Sequence, residues 1–328
     1  MTSRRSNSGC FVVGSWVSGI AVGALLLVVG CATPRGAARV ERNVVYGRVE
    51  RKELVMDLVF PTHGSTPHPV VLNLHGGAWA EGSKSVGTSW LAAPELVGRG
   101  YVFASIYYRL APQHKFPAQI EDAKCAVRFL RAHAAEYGLD PNRIVALGSS
   151  AGGHLAALLG TTDAAAGFDT SGGWTNESSR VQAVVDMFGH ADLASAIQHR
   201  ERVRLIAQSV FGTKSSEAIL RRASPVSYVT PDDPPFLLVH GERDGMVPLR
   251  QSELMKAALE EQGVPVQLVV VKHAGHCLVP AGGRPNPSRE TLGRLIADFA
   301  DRVLAASAGK PSATATSPVS RKSPGQPP

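Results

Sequence analysis

Arg143-Ile144-Val145-Ala146-Leu147-Gly148-Ser149-Ser150-Ala151-Gly152-Gly153-His154-Leu155-Ala156-Ala157 is the stretch on which the fold turns. The apolar run at 143–147 reads as a buried strand, and 154–159 reads as a helix-forming run. Between them Gly148-Ser149-Ser150-Ala151-Gly152 is a G-x-S-x-G, the pattern of a nucleophile elbow. Such an elbow needs a strand before it and a helix after it, because the sharp turn lifts the serine oxygen above the sheet edge. Small residues at 148, 151 and 152 let the strained backbone pass close to its neighbours.

Working outward, the same alternation repeats. Val70–Leu74 and Val102–Tyr108 are short apolar runs, as are Val181–Phe188, Phe236–His240 and Val266–Val271. Helical spacing is expected at Trp90–Arg99, at Pro117–Tyr137 up to Gly138, at Arg250–Gln262 and at Arg289–Ala306. Ser252 and Ser288 supply capping chemistry to the last two. Asp140-Pro141-Asn142 reads as a turn. Val44–Val49 and Leu54–Phe60 resemble an antiparallel pair at the sheet edge. Strands alternating with helices imply crossover connections, hence an α/β domain with a mostly parallel central sheet and helices on both faces. Residues 190–230 carry short helical patterns and few strand signals, and are expected to form a small cap over the site. Residues 167–179 read as a polar, Gly-rich surface loop.

The composition is that of a globular protein, 44% hydrophobic and 19% charged over 328 residues. The net charge is +7, but Arg4, Arg5, Lys310, Arg321 and Lys322 place most of it at the two ends. The body lacks a basic stripe or interleaved aromatics, which excludes a nucleic-acid footprint. Residues 1–31 form an export leader: two arginines, an apolar run from Phe11 to Gly30, then Leu27-Val28-Val29-Gly30-Cys31. That ending resembles a bacterial lipobox, with Cys31 as the lipidated residue and the membrane as partner through a lipid anchor. A retained membrane span and a leader cut without lipidation fit the same run. Residues 32–43 read as a polar tether, 44–306 as the folded domain, and 307–328 as a disordered Ser/Pro-rich tail. Cys125 reads as a buried apolar residue; Cys277 adjoins His276 but has no second ligand-type neighbour, which makes a poor metal site. An oxidising compartment would permit a 125–277 bridge. No metal or cofactor is expected, since Walker-type loops, HExxH and paired-Cys motifs are missing.

A serine hydroxyl becomes a nucleophile only when a base takes its proton and a third group orients that base. Ser150 sits between the two glycines of the elbow, with Ser149 as its rival. His276 lies past the Val266–Val271 strand in a Gly-containing loop; His273 competes, and His240 before Gly241 reads as structural. Asp244 follows a strand and a turn, with Glu242 and Asp192 as rivals. His75-Gly76-Gly77-Ala78-Trp79 follows a strand, and its glycines would turn backbone N–H groups of Gly76 and Gly77 toward a developing oxyanion, joined by the N–H of Ala151. His75 orders that loop, and Trp79 is a candidate wall of the substrate pocket. Arg109 with Glu121 and Asp122 reads as a stabilising ion pair.

Together, His75–Trp79, Tyr108-Arg109-Leu110-Ala111-Pro112, Phe116–Asp122, Gly148–Leu155 and Asp232–Leu237 make the chain resemble bacterial α/β-hydrolases of the feruloyl-esterase-like and acetyl-esterase group, which is similar to the hormone-sensitive-lipase and carboxylesterase families. The resemblance spans about residues 44–305. The order Ser150, Asp244, His276 is the triad order of that fold. The resemblance implies a serine esterase acting through an acyl-enzyme on short-chain acyl or carbohydrate-linked esters, and the leader implies export to the cell envelope. Ser149, where relatives often carry an acid, and Tyr107, where many carry Asn, depart from the pattern. Two other readings fit the same residues. One is an amidase or aryl-formamidase, which ester and formamide substrates would separate. The other is a non-catalytic envelope binding lipoprotein, which a serine-reactive probe would fail to label.

Overall fold

The computed structural model describes residues 37–197, 201–212 and 216–307. The export leader, Cys31 and the tail beyond 307 lie outside the described residues, as does the start of the tether. The described strands are β1 (Ala37–Val49), β2 (Lys52–Pro61), β3 (His68–Leu74), β4 (Val102–Ile106), β5 (Leu139–Ser149), β6 (Ala183–Met187), β7 (Phe236–Gly241) and β8 (Val266–Val271). They form one eight-stranded sheet in the order β1-β2-β4-β3-β5-β6-β7-β8. Only β2 runs against its neighbours; β4, β3 and β5 through β8 pair in parallel.

The strand at the sheet edge begins at Ala37, seven residues earlier than the Val44 start expected from sequence. Residues 37–43 are polar because they lie on an edge strand, where one side faces solvent. Their backbone pairs with β2, as in Arg39 with Phe60 and Glu41 with Leu58, with register shifts that let the strand follow the twisted edge. The tether expected at 32–43 therefore gives its second half to the sheet.

Alternation along each buried strand sorts side chains between two cores. Val70, Leu72, Leu74, Ile144 and Ala146 face one side. Val71, Val145, Leu147, Val185 and Val239 face the other. Helices α1 (Ala93–Gly98) and α9 (Arg289–Ser307) cover the second face through residues such as Leu96, Ile296 and Ala300. On the first face lie α2 (Ala118–Ala132), α3 (Ala134–Tyr137) and α4 (Ala151–Thr161). Beyond the region between β6 and β7, which holds α5 (Leu193–Ile197), α6 (Glu201–Phe211) and α7 (Glu217–Arg222), α8 (Arg250–Glu261) completes that layer. This is the α/β-hydrolase fold, with α5 to α7 inserted after β6.

Three local expectations change. The single helix over 117–137 is broken at His133, whose φ of −107° and ψ of 17° separate α2 from α3. Asp140-Pro141-Asn142, expected as a turn, lies within β5 at a register irregularity between the Leu139 and Ile144 pairs, with the Asn142 N–H donating to Asp140 Oδ1 at 2.9 Å. Ser252 is not a cap: it lies inside α8, and its hydroxyl meets His240 Nδ1 at 2.7 Å. Ser288 does cap α9, accepting from the Thr291 N–H at 3.2 Å.

Candidate active site

All parallel strands end on one side of the sheet, and the sequence places its reactive residues just past those ends. At the end of β5, Ser150 adopts φ 56° and ψ −118°, a conformation an L-residue keeps only when its surroundings hold it. Two glycines make this possible. A Cβ on Gly148 would stand 2.1 Å from the Gly152 carbonyl oxygen, and one on Gly152 would stand 2.0 Å from that of Leu74. The Ser150 N–H donates to the Met187 carbonyl at 2.8 Å, which ties the turn to the next strand.

The structure brings three distant residues into one relay. The Ser150 hydroxyl lies 3.1 Å from His276 Nε2, and His276 Nδ1 lies 2.8 Å from Asp244 Oδ2. Asp244 is held by its other oxygen, which accepts the N–H groups of Met246 and Val247 at 2.8 and 2.9 Å. The rivals are placed elsewhere. Glu242 pairs with Lys272 and with the His273 N–H, while Asp192 accepts from the Ala194 and Ser195 N–H groups at the start of α5. His240 is buried, bonded to Ser252 and to the Val247 carbonyl. The Phe188 ring stands edge-on to the His276 imidazole, with centroids 5.0 Å apart.

The 75–79 loop lies against the elbow. A Cβ on Gly76 would approach the Ser149 carbonyl to 2.9 Å and the Ser150 Cβ to 3.5 Å. At Gly77 φ is +120° and a Cβ would fall 2.0 Å from the Glu81 carbonyl oxygen, so only glycine fits. Its carbonyl accepts the N–H groups of Ala80 and Glu81, closing a tight turn. Among the described residues Gly76 and Gly77 donate no backbone hydrogen bond. Ala151 opens α4, where helix geometry leaves the N–H without an intrahelical acceptor.

His75 is fully buried, stacked on Tyr108 at 4.1 Å, with Nδ1 2.7 Å from the Gly76 carbonyl. The Tyr108 hydroxyl donates to the His75 carbonyl at 2.8 Å. Arg109 clamps the adjoining segment to α2 through Asp122 and Glu121 at 2.7 and 3.1 Å. Removing one partner of such a buried pair typically costs about 3–5 kcal/mol. Trp79, a candidate pocket wall from sequence, is only 5% exposed. Its indole N–H donates to His154 Nδ1 at 3.2 Å and its ring packs on Phe211 of α6. These contacts place Trp79 in the core cluster.

Burial sets the charge state of the imidazoles around the relay. Desolvation pushes His75 and His154 each down to about 4, and His190 down to about 3. Desolvation lowers His240 as well. At neutral pH His75, His154 and His190 are therefore uncharged and do not oppose a positive charge on His276. Among the described residues no cluster of His, Cys, Asp and Glu offers three metal ligands. Cys125 and Cys277 are both free, Cys125 packed deep against Tyr46 and Cys277 beside the relay.

Sequence reasoning passed over Asp186, on β6 beside the elbow. Its carboxylate accepts the Gly189 N–H at 2.8 Å, and a Cβ on Gly153 would stand 2.3 Å from its Oδ1. Burial pushes its carboxyl up to about 7. A carboxyl with a raised folded-state pKa favours folding fully below its unfolded value of about 3.9, and that contribution is lost as the pH rises through about 7. Asp186→Asn is therefore expected to melt higher than the parent at pH 8, with the gap closing toward pH 4. Parallel melting curves across that range would refute the assignment.

Residues 56–259 match the BD-FAE family. The chain is similar to Esterase LipC of Mycobacterium tuberculosis, 32% identical over 263 residues, covering 73% of this chain and 62% of that protein. The curated relatives it matches are thus longer, and the chain spans less than two thirds of LipC's length. Among solved structures, it is similar to an acetyl ester-xyloside bifunctional hydrolase from Caldicellulosiruptor lactoaceticus. That match has a TM-score of 0.61 at 25% identity and covers 76% of this chain and 88% of the other. It is also similar to Thermogutta terrifontis esterase 2 phosphorylated by paraoxon, with a TM-score of 0.64, 27% identity, and 83% and 94% coverage.

Proposed function

The chain belongs to the BD-FAE family of α/β-hydrolases, and on that premise we propose that it is a serine carboxylic-ester hydrolase working through an acyl-enzyme. The observation that carries this reading is the relay from Ser150 Oγ to His276 Nε2 at 3.1 Å and from His276 Nδ1 to Asp244 at 2.8 Å, seated on the elbow. Ser150 Oγ attacks the ester carbonyl carbon while His276 takes its proton. The imidazolium, steadied by Asp244, then returns the proton to the leaving alcohol as the carbon–oxygen bond breaks. Water, deprotonated by the same imidazole, releases the acid and restores Ser150. The N–H groups of Gly76, Gly77 and Ala151 receive the oxyanion; a donor in this role is typically worth about 2.7–4 kcal/mol of barrier. Trp79 acts through packing, holding the loop that presents two of those donors.

Short-chain acyl esters and carbohydrate-linked esters are the proposed substrates. Similarity to the Caldicellulosiruptor acetyl ester-xyloside bifunctional hydrolase supports the second class. A fluorophosphonate probe, nitrophenyl esters of graded acyl length and acetylated xylose test the proposal together. Labelling at Ser150 with fastest turnover of the shortest acyl chains is expected. A folded protein that neither labels nor hydrolyses any ester would overturn the reading, and labelling without ester turnover would point to amides.

The proposed organisation is an exported envelope lipoprotein: leader 1–31, lipid on Cys31, a short tether, the catalytic domain to about 306 and the 307–328 tail. Its support is the leader sequence, with two arginines, an apolar run and a terminal cysteine. Cells expressing the full chain are expected to incorporate labelled palmitate into it, and Cys31→Ser is expected to abolish that incorporation. Undiminished labelling of the Ser variant would exclude Cys31 as the anchor.

A further inference from the structure

The end of β6 and the segment that follows it touch both walls of the site. The Met187 carbonyl accepts the Ser150 N–H at 2.8 Å, and the Phe188 ring packs against His276. Two residues further on, His190 stacks on Trp79, with centroids 5.9 Å apart and planes 26° apart. Trp79 ends the loop that carries Gly76 and Gly77. His190 is thus held between the oxyanion-type loop and the relay, 7% exposed. Its Nδ1 is enclosed and has no hydrogen-bond partner among the described residues. An enclosed nitrogen of this kind is better left as a lone pair, because orphaned buried donors are rarer than under-satisfied acceptors. The ring proton then sits on Nε2.

Taking the ester-hydrolase reading as its basis, we propose that His190 is a positioning residue whose Nε2–H donates a hydrogen bond to a second oxygen that the substrate carries close to the scissile ester. An ether, hydroxyl or carbonyl oxygen fits that donor, so the favoured substrates are esters of polyols and sugars or of oxygen-bearing acids. Burial pushes the imidazole down to about 3, so it offers one N–H and no charge across the working pH range. A plain alkyl ester leaves the donor unpaired in a desolvated site. Sites built to hydrogen-bond a substrate discriminate by that penalty.

Two matched pairs test it, each differing by one oxygen in place of a methylene. On the acyl side these are the nitrophenyl esters of methoxyacetate and butyrate; on the alcohol side, 2-methoxyethyl acetate and butyl acetate. His190→Leu is expected to lower the oxygen-to-methylene ratio of kcat/KM about five-fold in one pair, the size of one neutral hydrogen bond. His190→Gln, which keeps an amide donor, is expected to restore it. A merely structural role would lower both members of a pair together and leave the ratio unchanged. His190→Phe, which keeps the stacking on Trp79, replaces the Leu variant if that one fails to fold. Unchanged ratios in both pairs overturn the proposal. Calorimetric binding of the same pairs to a Ser150→Ala protein reads the contrast without turnover. A parent protein that turns over nothing thus refutes the hydrolase reading, while the binding contrast judges His190 separately.

Discussion

Ser150→Ala is expected to lower kcat by about 10⁶-fold while leaving the melting temperature close to that of the parent. The change removes one oxygen whose hydrogen-bond partner is His276 at 3.1 Å. The elbow itself rests on Gly148, Gly152 and the bond from the Ser150 N–H to Met187, all of which an alanine keeps. What remains after the substitution is the background that oxyanion donors and binding alone supply. Initial rates on a nitrophenyl ester, with thermal melts of both proteins, decide the matter. An active, folded alanine variant would mean that Ser150 is not the nucleophile, and would turn attention to Ser149.

The second large effect concerns Asp244→Asn, for which a loss of about 10⁴-fold in kcat is expected. One carboxylate oxygen of Asp244 accepts the N–H groups of Met246 and Val247, and the other accepts from His276. An asparagine keeps its carbonyl oxygen on the two backbone donors, which turns its NH₂ toward His276 Nδ1. That nitrogen must then carry the lone pair, so the proton moves to Nε2 and points at Ser150. The base has become a donor facing the nucleophile it should deprotonate. Size and packing are unchanged, so stability is expected to hold and KM to move little beside kcat. A variant retaining a tenth or more of the parent kcat would remove Asp244 from the relay.

Much of this site is visible in the chain because its demands are local. Gly148 is required by a contact within a few residues, the approach to Gly152, and the motif spacing marks Gly152 as well, although its close neighbour is the Leu74 carbonyl. Gly76 and Gly77 announce themselves in the same way, through a tight turn after an apolar strand. Errors arise where side chains serve distant partners. Ser252 looks like a helix cap, yet its hydroxyl holds His240 from inside α8. Residues 37–43 look like a tether because an edge strand needs few apolar side chains, and their backbone pairing leaves no mark on composition. His190 is a single histidine in a loop, without period or motif to distinguish it. Lys124 and Arg128 look like the polar side of an amphipathic helix, but both are buried and bind Asp169 in the 167–179 loop.

By itself, then, the amino-acid sequence determined the alternation of strands and helices, the strained turn at Ser150 and the glycine loop at 76–77. Steric limits and side-chain period act over a few neighbouring residues and can be read there directly. Tertiary structure alone made the contacts: Asp244, the acid favoured from sequence over Glu242 and Asp192, meets His276, and His276 reaches Ser150 across 126 residues of chain. It also decided that Trp79 turns into the core and that His190 comes to lie upon it. Those pairings depend on strand order and register, which packing across the whole sheet settles and which no local stretch encodes.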